Sequence, residues 1–316
     1  MRVLRLILLT TVLSILLAAV AQAAPIGALK QYRLPTADSD PRYITNGSDG
    51  NRWFTESSEF LPATIGRITP TGDVTEFPVN CNGCILNDIA QGPNNVLYFT
   101  SNDPLLGRIS TSGTVLDPIP MPASDALAGN IAVHANQVWI TDFNGDNLWR
   151  YGIATGQFTR FPVPEPSDVV VDAAGIVWFT APLAPGIGRL EPQTGVISVT
   201  PTQGFPREIT IATDGSIWFT ERFTPQAVGR LNPTTNVVTE FPVTNVGPEG
   251  IAAAPNGSVW FTQTTKGNIA NITPNGVITE TKVVKGSEPF GITVDADGDP
   301  WYAMMSANKI AEFQLR

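Results

Sequence analysis

The chain has 316 residues, 42% of them hydrophobic and 15% charged, with 28 acidic against 19 basic side chains. The resulting net charge of −9 disfavours a nucleic-acid or anionic-membrane partner and favours solubility.

From the N-terminus, residues 1–23 carry Arg2 and Arg5, an apolar run from Leu6 to Val20, and then Ala21-Gln22-Ala23. That is the layout of a secretory signal with a small-x-small cleavage site. The mature chain is therefore expected to be residues 24–316, one exported, extracellular domain. Losing Arg2 and Arg5 leaves 17 basic against 28 acidic residues, a net charge of −11. No later segment approaches the ~20 apolar residues of a membrane span, so the mature protein is expected to be soluble.

Residues 28–35 (ALKQYRLP) resemble the TEFPV and TRFPV segments found further on. An aromatic-centred strand then recurs seven times: NRWFTE, VLYFTS, QVWITD, IVWFTA, SIWFTE, SVWFTQ and DPWYAM. Its leading aromatics are Trp53, Tyr98, Trp139, Trp178, Trp218, Trp260 and Trp301, in steps of 45, 41, 39, 40, 42 and 41 residues. A strand-rich repeat of this period marks propeller blades, each burying its faces against its neighbours until the array closes. The fold class is therefore all-β, a seven-bladed β-propeller of four-stranded blades. No 3.6-residue apolar period outside the N-terminus competes with it.

Each copy divides into four runs, strands a to d, punctuated by turn residues. The a–b turn often holds Asp-Gly or Asn-Gly (Asp49-Gly50, Asp214-Gly215, Asn256-Gly257, Asp297-Gly298), a hairpin signal because the turn needs positive φ. The strand-b tryptophan, present in nearly every copy, is assigned to packing between blades. The last repeat ends after strand c, so residues 28–35 are predicted to supply its outer strand and close the ring without an exposed edge.

Cys81 and Cys84, in CNGC, are the two cysteines. In an exported chain they are read as a local disulfide rather than a redox pair or a zinc site. Asn46, Asn256 and Asn271 head glycosylation sequons, of consequence only in a eukaryotic host.

Alternating strands place the b–c loops and the d–a connections on one face, the tight a–b turns on the other. Variable loops on a rigid ring are where binding residues collect. Two rings of positions are expected to line the mouth there. One follows the strand-b triplet: Glu56, Ser101, Asp142, Ala181, Glu221, Gln263 and Met304. The other precedes the apolar start of strand a: Arg42, Asn87, Gly129, Ser167, Arg207, Glu249 and Phe290. Within them Glu56, Glu221 and Glu249 are candidate proton-transfer carboxylates. Arg42, Asp142, Arg207, Arg222, Phe290, Met304 and Met305 are candidate ligand contacts. The single histidine, His134, is read as a packing or turn residue. DFNGDN at 142–147 lacks the distal glutamate of a calcium loop.

The pattern P-x-G-I…DG-x-W-F-T-E…I-G-R-I…G-x-x-T-E-F-P-x, with TIGRITPTGDVTEFPV in the first blade, resembles the streptogramin B lyase (virginiamycin B lyase) family over essentially the whole mature chain. The resemblance implies a seven-bladed propeller that opens a cyclic depsipeptide at its ester bond by Mg²⁺-assisted elimination. It places the family's functional groups at Glu288-Pro289-Phe290, at Met304-Met305 and at Glu249. The glutamate that would bind Mg²⁺ is kept as Glu288. The histidine acting as general acid/base is Phe290, the second metal-binding glutamate is a methionine, and the sixth-blade histidine is Glu249. One carboxylate holds Mg²⁺ poorly and phenylalanine transfers no proton, so Mg²⁺ is implied by the resemblance without a complete ligand set.

The expected function is an enzyme acting on a cyclic small molecule, by lyase, ring-opening or cyclase/isomerase chemistry, at the channel mouth and without the family's machinery. The alternatives are a non-catalytic binding propeller for a glycan, peptide or protein, and a metal-dependent lactonase of the gluconolactonase type. The expected partner is a small-molecule ligand, with no nucleic acid or membrane, and the expected state is a monomer.

Overall fold

The computed structural model describes residues 27–316 apart from 82 and 125, so the expected signal segment, 1–23, lies outside the described residues. Seven antiparallel sheets of four strands each stand around one axis. Strands a of neighbouring blades contact one another around the ring and line the central channel.

The repeat motif becomes a layered stack. In blade one the ring of Phe77, on strand d, stacks on Trp53 of strand b at 5.5 Å, and the Arg67 guanidinium of strand c lies 5.6 Å from the same indole. Blade five repeats this with Phe241 on Trp218 at 5.7 Å and Arg230 at 5.6 Å. The IGRI arginine and the TEFP phenylalanine therefore pack together against an indole that is almost fully buried, Arg67 lying 5.4 Å from the Phe77 ring as well. Each such ring removes roughly 150–250 Å² from water. The IGRI glycine is steric: Gly66 pairs with Phe54, and a Cβ there would fall 2.1 Å from the phenylalanine ring.

Six of the strand a–strand b pairs carry a register shift near the start of strand a, as between Pro41 and Ile44 or Pro206 and Ile209. A bulge frees one residue from the ladder and re-aims its side chain. The strand-b threonine fills the gap. Thr220 Oγ1 accepts from the Glu208 amide at 3.2 Å and donates to the Glu249 carbonyl of the next blade at 2.7 Å. Thr141, Thr180 and Thr262 make the same pair of contacts. In these blades the threonine of WFT thus joins one inner strand to the next.

The ring closes as expected. Strand Gly27–Arg33 pairs antiparallel with Lys309–Leu315, from Gly27 opposite Leu315 to Arg33 opposite Lys309, slightly N-terminal to the 28–35 read from sequence. Tyr32 stacks on Trp301 at 5.7 Å. Across the seam Arg52 binds Asp295 at 3.0 Å, and the Asn46 amide donates to the Val294 carbonyl at 2.8 Å. Cys81 and Cys84 are joined by a disulfide, as expected. His134 ends the strand a of blade three, Ala128–His134.

Candidate functional site

The bulge decides what the d–a/b–c mouth presents. Arg42, Asn87, Gly129, Arg207, Glu249 and Phe290 all sit at the bulged positions of strand a. Of the sequence candidates, the structure brings Arg207, Arg222 and Glu249 together. Glu249 is fully buried. Its carboxylate is held by Arg207 Nε at 3.1 Å and Arg222 Nη1 at 2.6 Å, while those two side chains stay 37% and 36% exposed. Arg207 Nη1 also donates to Ser167 Oγ at 3.1 Å. Burial alone would weaken the Arg207 charge, but Tyr43, Glu249 and Glu208 nearby raise its pKa above the ordinary value. Phe290 meets Tyr43 edge to face at 5.3 Å, giving the mouth an apolar border. Arg42 is half-buried, and its Nε has no partner among the described residues.

The second ring does not line the mouth. Glu56, Asp142, Glu221, Gln263 and Met304 are at most 2% exposed, because the d–a loops fold over the ends of strand b. Asp142 is spent on that loop: it accepts from the Leu127 and Gly145 amides and from the Trp149 indole, each at 3.1 Å. Glu221 accepts from the Gly204 amide at 3.0 Å; burial, helped by Glu240, pushes it up to about 7. Glu56 has no hydrogen-bond partner on either oxygen among the described residues. Burial pushes it up to about 8, with Ser39 acting against the shift.

Glu288 lies elsewhere. It is exposed, accepts from Ser306 Oγ, and takes a left-handed φ of 46°. Its carbonyl accepts from the Met305 amide at 3.2 Å, just as Asp40 serves Ser57 and Gly247 serves Thr264 at 3.0 Å. Asp40 and Gly247 also have positive φ and also precede a proline that opens strand a. The backbone duty of Glu288 therefore belongs to the framework. Met305 opens a short 3₁₀ turn, Met305–Ala307.

A polar hub below the mouth escaped the sequence reading. Tyr43, Asp88, Asn130 and Glu208 occupy the position after the bulge residue, Asp168 the equivalent position in blade four, and they meet in the channel. Asn130 Nδ2 donates to both Glu208 oxygens at 3.2 Å, and the Tyr43 hydroxyl lies 3.3 Å from Glu208 Oε1. Asp88 and Asp168 each accept an amide from the next blade, Ile131 at 3.0 Å and Ile209 at 2.8 Å. Burial pushes Asp88 and Asp168 up to about 7, and burial with Asp168 nearby raises Glu208 further. A cavity of about 250 Å³ reaches this hub along the channel. Another hollow, of about 270 Å³, lies between the d–a connection of blade one and the outer strands of blade two, beside the disulfide.

With this geometry in place, comparison with known proteins is decisive for the family. The virginiamycin B lyase family model matches residues 17–196 and 131–316. The chain belongs to that family. Selenomethionine-substituted virginiamycin B lyase from Staphylococcus aureus is 27% identical, with a TM-score of 0.84 over 92% of this chain and 100% of that one. A streptogramin B lyase structure is 28% identical, TM-score 0.85, covering 93% and 100%. The catalytically inactive H270A S. aureus enzyme with quinupristin is 26% identical, TM-score 0.84, covering 92% and 100%. No curated protein sequence matches the chain.

The donor set does not fit the Mg²⁺ that the family implies. Glu249 is paired with two arginines, Met305 and Phe290 carry no side-chain oxygen, and Glu288 accepts from Ser306. Among the described residues no three His, Cys, Asp or Glu side chains converge as a metal site. No helix among them is long and apolar enough to cross a membrane.

Proposed function

We propose that this family member is an exported propeller that captures a cyclic small molecule over the d–a/b–c mouth, without the metal-assisted elimination its family resemblance implies. Capture of such a ligand is supported by the family and by the solved relative that was crystallised with quinupristin. Export is supported by the signal-like residues 1–23 and the Cys81–Cys84 disulfide.

One observation carries the reading. Glu249, where the resemblance implies a family catalytic group, is buried between Arg207 and Arg222. A carboxylate enclosed between two guanidiniums is a poor metal ligand. The same clamp holds two cationic forks half in water, which is the arrangement of a binding surface.

The test is a panel of macrocyclic lactones and depsipeptides, quinupristin included, added to the mature chain with and without EDTA. The expected outcome is saturable binding that EDTA leaves unchanged. Binding or turnover that needs a divalent ion overturns it.

A further inference from the structure

The mouth has one sector unlike the rest. Beside the Arg207–Glu249–Arg222 trio stand Phe205 and Phe223, 38% and 60% exposed. Their rings meet edge to face at 6.5 Å, and the Arg222 guanidinium lies 5.9 Å from the Phe223 centroid. Phe205 ends the d–a connection into strand a Pro206–Ile211, and Arg222-Phe223 open the b–c loop of the same blade. One blade therefore supplies both cations and both aromatics, and the next supplies the buried counter-ion.

The trio keeps one net positive charge, since a single carboxylate faces two guanidiniums. Its donors are only partly used. Arg207 spends Nε and Nη1 on Glu249 and Ser167, and Arg222 spends Nη1 on Glu249. Among the described residues, Arg207 Nη2 and Arg222 Nε and Nη2 have no partner. A planar fork with spare N–H groups matches a carboxylate in two-pronged fashion. An adjacent pair of exposed rings matches an apolar ring or chain carrying that carboxylate.

We propose that Arg207 and Arg222, braced by Glu249 and flanked by Phe205 and Phe223, form a recognition site for a carboxylate carried on an apolar ring. This rests on the mouth being the ligand-binding face and names the chemistry of what binds there. Glu249 acts as a positioning residue: it fixes both forks from below while leaving their outer edges to the ligand.

The probe is 3-phenylpropionate, titrated into the mature chain by calorimetry, with 3-phenylpropionamide as neutral isostere and inorganic phosphate as bare oxyanion. The acid is expected to bind about tenfold or more tightly than the amide, because the amide loses charge-assisted hydrogen bonds. Arg222→Gln should remove that preference. Phe223→Ala should weaken acid and amide alike, a pattern that loss of charge alone does not give. Arg207 is avoided, since its removal strips a buried carboxylate of a partner; Arg222→Lys, which keeps the charge and loses the fork, should restore the preference only in part.

Equal binding of acid and amide, or phosphate binding as tightly as the acid, overturns the proposal. So does an unchanged acid preference in Arg222→Gln. If neutral macrocyclic lactones bind while no acid does, this inference falls and the mouth reading stands. If acids bind and no cyclic compound does, the cyclic-ligand reading falls and this one stands.

Discussion

Glu249 is the residue whose environment departs most from its role in the family resemblance. Full burial makes its charge dependent on the two arginines. Changing Glu249 to Gln should cost about 2 kcal/mol in urea unfolding, below the ~3–5 kcal/mol of a wholly buried pair because both arginines keep solvent. Arg222→Gln, which leaves Arg207 on the carboxylate, should cost less. The channel acids make a prediction of opposite character. Burial holds Asp88 and Asp168 near 7, against an ordinary value of 3.8, so the folded state binds more protons than the unfolded one. Their stabilising contribution is complete below about pH 4 and is lost as pH rises through 7. Glu208, with Tyr43, Arg207 and Glu249 around it, shifts in the same direction. The melting temperature should therefore fall from about pH 5 to pH 8. In Asp88→Asn that slope should be shallower, whatever stability the variant loses outright; an unchanged slope would locate the pH dependence elsewhere.

At the level of single strands, the threonine of WFT does more than its place in a β-rich run suggests. Thr220→Val keeps shape and β-propensity yet leaves the Glu208 amide and the Glu249 carbonyl without their shared hydroxyl. Buried and unpaired, these groups should cost about 1–3 kcal/mol. The loss should also loosen the Arg207–Glu249 clamp, because the bulge that aims both residues rests on that hydroxyl. Amide hydrogen exchange would show faster opening of strands Pro206–Ile211 and Pro248–Ala253 than of the outer strands. The threonine was readable in sequence, at Thr55, Thr100, Thr141, Thr180, Thr220 and Thr262, with Ala303 as the last-blade exception. Blade number, strand order and the packing role of Trp were equally legible, because each depends on a local pattern repeated at fixed spacing. The bulge was not: it moves side chains by one position and depends on a partner in the next blade. Nor was the path of the d–a loops, which seal the ring after strand b that was expected at the mouth. Asp88, Asp168 and Glu208, one residue beyond the positions singled out, form the hub that the sequence reading passed over.

The whole ring depends on a join between chain ends nearly three hundred residues apart. Strand Gly27–Arg33 is the outer strand of blade seven, so removing it leaves Lys309–Leu315 with a free ladder edge. It also removes Tyr32 from Trp301 and Leu29 from the cluster around Phe313. The other six blades are each built from one contiguous segment, so their internal packing does not need this strand. A mature chain starting at residue 34 should therefore still form β-structure by circular dichroism but melt well below the parent. Its exposed edge should pair with a second molecule, seen as dimers or larger species in light scattering. Adding a peptide of residues 27–33 should restore the monomer and recover part of the lost melting temperature, because strand addition replaces the same backbone hydrogen bonds. A truncated chain that stays monomeric at the parent's melting temperature would show that the seam is held by Arg52–Asp295 and the inner-strand contacts rather than by the borrowed strand. The mouth supplies an independent readout. Phe290 and Glu288 belong to the blade that opens, while Arg207 and Arg222 lie in blade five. Loss of cyclic-ligand binding with carboxylate recognition intact would accordingly place the seam's effect in the half of the mouth that it borders.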